Sequence, residues 1–171
     1  MVDGRGNTYV NGGAMALITP DGTVRKVAEG FAFPNGMAVT PDNSTLIVAE
    51  SHAHRLTAFE IAADGSLANR RVWADLGDGV PDGICVDTQN AVWYADVPNK
   101  RCVRVREGGE VLETINVDRG CFACMLGDPD RQTLFIVTAE WLGFARMAEA
   151  LQARTGQLLA AEVAVPGAGW P

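Results

Sequence analysis

The apolar residues of this chain fall into short runs separated by tight-turn residues. Strand-forming runs stand at Thr8–Val10, Thr45–Ala49, Val92–Ala95 and Leu134–Thr138. Each is preceded by a shorter apolar run and a turn of Asp, Pro, Asn or Gly. A polar turn follows, then an alternating segment such as RLTAFEI (55–61) or RCVRVRE (101–107). A last strand comes after Asp-Gly or Gly-Gly, as in TVRKVAEG, RRVWADL and EVLETINV. β-Branched and aromatic residues at period two, punctuated by such dipeptides, predict antiparallel strands joined by hairpins.

The plan recurs four times. With Val2, Val39, Val86 and Leu126 taken as equivalent, the steps are 37, 47 and 40 residues. Four strands about every 40–50 residues predict the blades of a β-propeller, all-β, in one domain over residues 1–171. A sandwich would not repeat one strand plan four times. One stretch departs from the pattern: FARMAEALQARTG places Phe144, Met147, Ala148 and Leu151 at helical spacing. It predicts a short helix inserted near residues 144–154.

Composition narrows the function classes. With 47% apolar and 20% charged residues the chain has the make-up of a folded domain. Its net charge of −7, without a basic run, argues against nucleic-acid or anionic-membrane partners. No apolar run approaches the ~20 residues of a membrane helix, and the N-terminus does not read as a signal peptide. Of the four cysteines, Cys85 and Cys102 sit in apolar runs and read as core. Cys121 and Cys124 form a C-x-x-C without the second pair or nearby His of a zinc site, and without the βαβ context of a thioredoxin-like redox unit. Reduced thiols in a cytoplasmic setting are the expectation.

Two segments carry the candidate chemistry. FAFPNGMAVTP (31–41) and GDGVPDGICVD (77–87) each read Pro, an amide or carboxylate, Gly, then an apolar run. Asn35 and Asp82 hold the same slot, four residues before Val39 and Val86; in the fourth segment the slot is Phe122. In a propeller the innermost strand of each blade lines the central channel, so residues just before it gather at one mouth. A carboxylate and an amide oxygen are hard donors suited to Ca²⁺, Mg²⁺ or Mn²⁺. Turn geometry alone accounts for the same residues, since Pro-Asn-Gly and Pro-Asp-Gly are ordinary turn sequences. The ends of the second strands return to that mouth and bring Glu50, Asp96 and Glu140, with His52 close by, as a candidate polar rim for substrate. The alternative for each is a turn cap bonded to water.

The stretches FPNGMAVTPDNSTLIVAES and VPDGICVDTQNAVWYAD and the closing VPGAGWP resemble the SMP-30/gluconolactonase/LRE-like family along essentially the whole chain. The resemblance implies a six-bladed propeller that holds one divalent cation in its channel and hydrolyses sugar lactones. It implies Asn35 and Asp82 as metal ligands, with Asp82 also the catalytic base. Glu50 and His52 remain as substrate contacts. The cation expected is Ca²⁺, Zn²⁺, Mn²⁺ or Mg²⁺, and the partner a small sugar lactone. The family's third ligand, a first-blade Glu, and its substrate-binding Asn-Asp pair have no counterpart, because the equivalent positions fall before Met1. The chain therefore reads as the C-terminal part of such a propeller, about four blades, with lactonase activity expected to be impaired. The competing expectation is a non-catalytic binding module, and open blade edges offer a route to self-association.

Overall fold

A computed structural model describes residues 1–169. Trp170 and Pro171, the end of the VPGAGWP segment, lie outside the described residues. The described residues form four antiparallel sheets, each a meander of consecutive strands. The first sheet holds β1 (Thr8–Asn11), β2 (Ala14–Ile18) and β3 (Val24–Glu29). The second holds β4 (Pro34–Val39), β5 (Thr45–Glu50), β6 (Arg55–Ile61) and β7 (Leu67–Asp75). The third holds β8 (Pro81–Val86), β9 (Val92–Asp96), β10 (Arg101–Val105) and β11 (Val111–Asn116). The fourth holds β12 (Gly120–Gly127), β13 (Thr133–Ala139) and β14 (Gln157–Glu162).

The all-β expectation and the four-fold plan are met, with one correction: the first and last sheets have three strands rather than four. Ahead of β1 only Val2 pairs, through a single bridge to Thr8. After β14 the chain turns back toward the third sheet instead of forming an outer strand, and Gly167 bridges Asp87. The helical insertion is present as a 3₁₀ turn at Phe144–Arg146 running into α1 (Met147–Ala153).

The two complete sheets explain their uninterrupted apolar runs. Leu46 and Val48 of β5 pack with Tyr9, Met15 and Leu17 of the first sheet, while Ile47 and Ala49 pack with Ile84, Val92 and Tyr94 of the third. In β9, Val92 and Tyr94 face the second sheet and Trp93 and Ala95 face the fourth. A strand buried on both faces has no polar side to display, so period-two alternation disappears. The end sheets keep one open face, where Val10 and Val137 are each 47% exposed. All four cysteines are buried free thiols in the core between the third and fourth sheets.

Successive innermost strands come close enough to require glycine. A Cβ on Gly36 would lie 2.4 Å from the Asp82 carbonyl oxygen and 2.7 Å from the Ile84 nitrogen. A Cβ on Gly83 would lie 2.8 Å from the Cα of Ala123. The glycines of PNG and PDG therefore serve backbone contact between sheets, not turn conformation.

Candidate active site

Asn35 and Asp82 lie within strands, which removes the turn-only reading. Pro34 pairs with Glu50 and Met37 with Val48, so Asn35 and Gly36 oppose a single residue of β5. Pro81 pairs with Asp96 and Ile84 with Tyr94, and the same bulge falls on Asp82 and Gly83. In β12 the register shifts between Cys121 and Ala123, leaving Phe122 as the extra residue. A bulge re-aims a side chain and breaks the ladder at that point. Three equivalent bulges thus send Asn35, Asp82 and Phe122 into one cavity of about 470 Å³.

Neighbouring elements fix this mouth. Asn11 at the end of β1 donates from Nδ2 to the Asn35 carbonyl at 2.7 Å. Ser51, in the 3₁₀ turn Ser51–Ala53 that follows β5, donates from Oγ to the Pro81 carbonyl at 2.6 Å and joins the second sheet to the start of β8. The amides of Ser51 and His52 donate to the Phe33 and Ala32 carbonyls, so the turn is tied to the loop leading into β4. The Asn35 amide nitrogen reaches Ser51 Oγ at 3.5 Å and lies close enough to the Asp82 carboxylate to favour its ionised form.

Asp82 is half-buried, and desolvation raises its carboxyl to about 6; the neighbouring Asn35 amide offsets only part of that. No cation among the described residues contributes to its environment.

Of the other anticipated residues, His52 lines the cavity, its ring stacked on Phe33 at 4.5 Å. Glu50 does not. Its fully buried carboxylate accepts from the Ala32 amide (2.7 Å), Thr57 Oγ1 (2.5 Å), Arg55 Nε and Nη2 (3.1 and 3.0 Å) and Arg70 Nη2 (3.1 Å). Burial alone would raise it, but those hydrogen bonds and the Arg55 charge hold it below its ordinary range. Asp96 repeats the arrangement, accepting from the Val80 amide, Asn99 Nδ2 and Arg101 Nε. Glu140 is exposed, and its amide donates to Thr155 Oγ1. The expected acidic rim is thus replaced by two buried structural acids and one outlying one. Both carboxylates are fully buried with their donors and so lie out of reach of substrate.

The rim is aromatic instead. Phe33, Phe122, Trp141 and Phe144 line the cavity with Val80 and Met147. Trp141 meets Phe144 edge-on at 5.0 Å and Phe122 at 6.0 Å. The sequence put Phe122 in the slot of Asn35 and Asp82 and Phe144 in the inserted segment, but did not join them with Phe33 and Trp141 as a rim. The available signals were the FAF triplet before PNG and the WLGF stretch leading into the inserted helix.

A propeller-like array of antiparallel sheets with a half-buried carboxylate at the mouth of its inner strands defines the class. Residues 1–140 match the SMP-30/Gluconolactonase/LRE-like region family, and the chain belongs to it. Regucalcin of Xenopus laevis is 27% identical over 135 residues, 75% of this chain and 45% of that protein. The 6-deoxy-6-sulfogluconolactonase of Pseudomonas putida is 28% identical over 167 residues, 94% of this chain and 56% of that protein. The chain spans about half the length of the curated relatives it matches. The solved structure of a calcium-binding regucalcin from Agrobacterium tumefaciens superposes with a TM-score of 0.73 at 19% identity, covering 90% of this chain and 53% of that one. No helix among the described residues is long and apolar enough to cross a membrane.

Proposed function

We propose that this chain hydrolyses a lactone, with a divalent cation held by Asn35 and Asp82. The observation that carries the reading is the pair of equivalent bulges that bring an amide and a half-buried carboxylate to one cavity. The relatives' names favour lactones of the sugar type, and one structural relative is named as calcium-binding.

The residues fit a cation. A carboxylate withdrawn from water and relieved only by one neighbouring amide is short of positive charge. When bound there, a divalent cation supplies that charge and polarises an ester carbonyl. Asp82 also accepts a proton from the attacking water. Asn35 contributes an oxygen without adding negative charge, and its link to Ser51 holds the pair in place. The surrounding rings give the cavity mouth an apolar wall.

One observation favours the alternative, a non-catalytic binding module: among the described residues no three His, Cys, Asp or Glu side chains converge as a metal group. Two measurements separate the readings. Melting is followed with millimolar Ca²⁺, Mg²⁺, Mn²⁺ or Zn²⁺, and proton release from an aldonolactone is followed with and without each ion. Cation-dependent hydrolysis that drops to background in Asp82→Ala supports the enzyme. No thermal shift and no hydrolysis favour the binding module.

A further inference from the structure

The wall of the cavity carries more information than the pair at its base. Phe33 adopts a left-handed backbone conformation with φ 59°, which is unfavourable for a bulky residue. Strain of that kind persists only where the surroundings enforce it, and it gathers at ligand sites. Here it brings no core burial in return, because the Phe33 ring is 46% exposed at the mouth. The ring lies on His52 and faces Phe144 edge-on at 6.2 Å. Phe144 is 62% exposed, although it opens the inserted segment. Neither its 3₁₀ turn nor α1 buries any residue, so Phe144 stays open to the cavity even where it meets Phe33, His52 and Trp141 edge-on. Large rings held in the open around a concavity form a surface awaiting an apolar ligand.

The polar inventory points the same way. Ser51 Oγ donates to the Pro81 carbonyl, and the Asn35 amide nitrogen reaches Ser51 Oγ. With Asp82 assigned to the reacting ester, His52 and the Trp141 indole N–H are the side-chain groups left, among the described residues lining the cavity, to answer hydroxyl groups. A lactone carrying several hydroxyls would bury most of them without partners, and each unpartnered group costs affinity.

We propose that the lactone taken here bears an apolar group, aryl or alkyl, held between Phe33, Phe144 and Trp141, so that the preferred substrate is not a fully hydroxylated sugar lactone. The proposal rests on the lactonase reading for its chemistry but not for its binding surface, and the experiment keeps the two apart. In the first arm, kcat/KM is measured for dihydrocoumarin, an aryl-fused lactone, and for glucono-δ-lactone. In the second, calorimetry measures binding of chroman, the corresponding cyclic ether, which cannot be hydrolysed. Both arms use the wild-type chain, Phe144→Ala and Phe33→Gly. Phe144 is exposed, and glycine accepts a positive φ, so both variants are expected to fold. The wild type should favour the aryl lactone by about tenfold or more, and each variant should lower the aryl-to-sugar ratio about tenfold, the range expected for one apolar contact. Chroman affinity should fall by a similar factor. Preference for the sugar lactone, or ratios unchanged in both variants, overturns the proposal. If neither lactone is hydrolysed, the lactonase reading fails and chroman decides: binding weakened in both variants supports the apolar site, and no binding overturns it.

Discussion

Glu50 and Asp82 are two acids beside the same cavity mouth, and their surroundings are opposite. Glu50 is fully buried among five donor contacts from Ala32, Thr57, Arg55 and Arg70. Asp82 is only half-buried, yet one amide is all that offsets its desolvation. The more deeply buried acid is therefore the easier to ionise, because donors and charge decide the outcome once water is removed. Glu50 clamps the loop before β4 to the second sheet. Asp82 holds unsatisfied negative charge facing a cavity, which is the condition of a group that binds a cation or moves a proton.

The strongest way to break this contrast is to remove each acid and measure both activity and stability. Asp82→Ala is expected to reduce cation-dependent lactone hydrolysis by at least about 10²–10⁴-fold, the usual worth of a positioned base, without lowering the melting temperature. Glu50→Ala should do the reverse. It leaves Arg55 and Arg70 facing a vacated buried site, and such losses run to about 3–5 kcal/mol. Both arginines are about one-third exposed, at 34% and 33%, so the lower end is expected in urea melts. A Glu50→Ala chain that melts normally but loses hydrolysis would reverse the two roles.

A smaller effect sharpens the comparison. Ca²⁺ or Mn²⁺ at ten times its dissociation constant should stabilise the wild type by about 1.4 kcal/mol. Asp82→Asn should abolish that shift, and Thr57→Val, which trims the Glu50 cluster, should retain it. A shift that survives Asp82→Asn would place the cation elsewhere.

Most of the fold was legible in the sequence because its causes are local. The turn dipeptides, the β-rich runs and the spacing of Phe144, Met147 and Leu151 each encode their own element. The equivalence of Asn35 and Asp82 was legible too, since the repeat aligns them. What they are equivalent in was not: Pro-Asn-Gly reads as a turn until the approach of Gly36 to Asp82 and Ile84 shows why glycine stands in a strand. Glu50 misled for a related reason. The strand plan gives its position but not the arginine that reaches it from β7, twenty residues further on. The aromatic rim was hidden because Phe33, Phe122, Trp141 and Phe144 come from three separate stretches, and only the fold brings them together.

The smallest predicted effect is a pH dependence on which the two acids differ in sign. In chelated, metal-free protein, Asp82 sits at about 6 when folded against an ordinary 3.8. Between those values the folded chain binds more protons at this site than the unfolded chain does. Its contribution is therefore fully present below about pH 4 and is lost as pH rises through about 6. Glu50 is lowered from its ordinary 4.5, so its contribution is present above that value and is lost as the medium becomes more acidic. Glu50 is the same in wild type and Asp82→Asn, so it cancels in their difference, and from pH 4.5 to 6.5 only Asp82 changes that difference. Wild-type stability should decline across that window relative to Asp82→Asn, by about 1 kcal/mol once partial solvent access is discounted. The variant should be the more stable of the two at pH 7. Saturating Ca²⁺ should cancel the decline, because a cation restores the stability of the ionised form. The check is a series of urea melts of both proteins from pH 4.5 to 7. A difference that is flat with pH, or that favours the wild type more as pH rises, would mean that Asp82 is already neutralised by another group, and the contrast with Glu50 would fail.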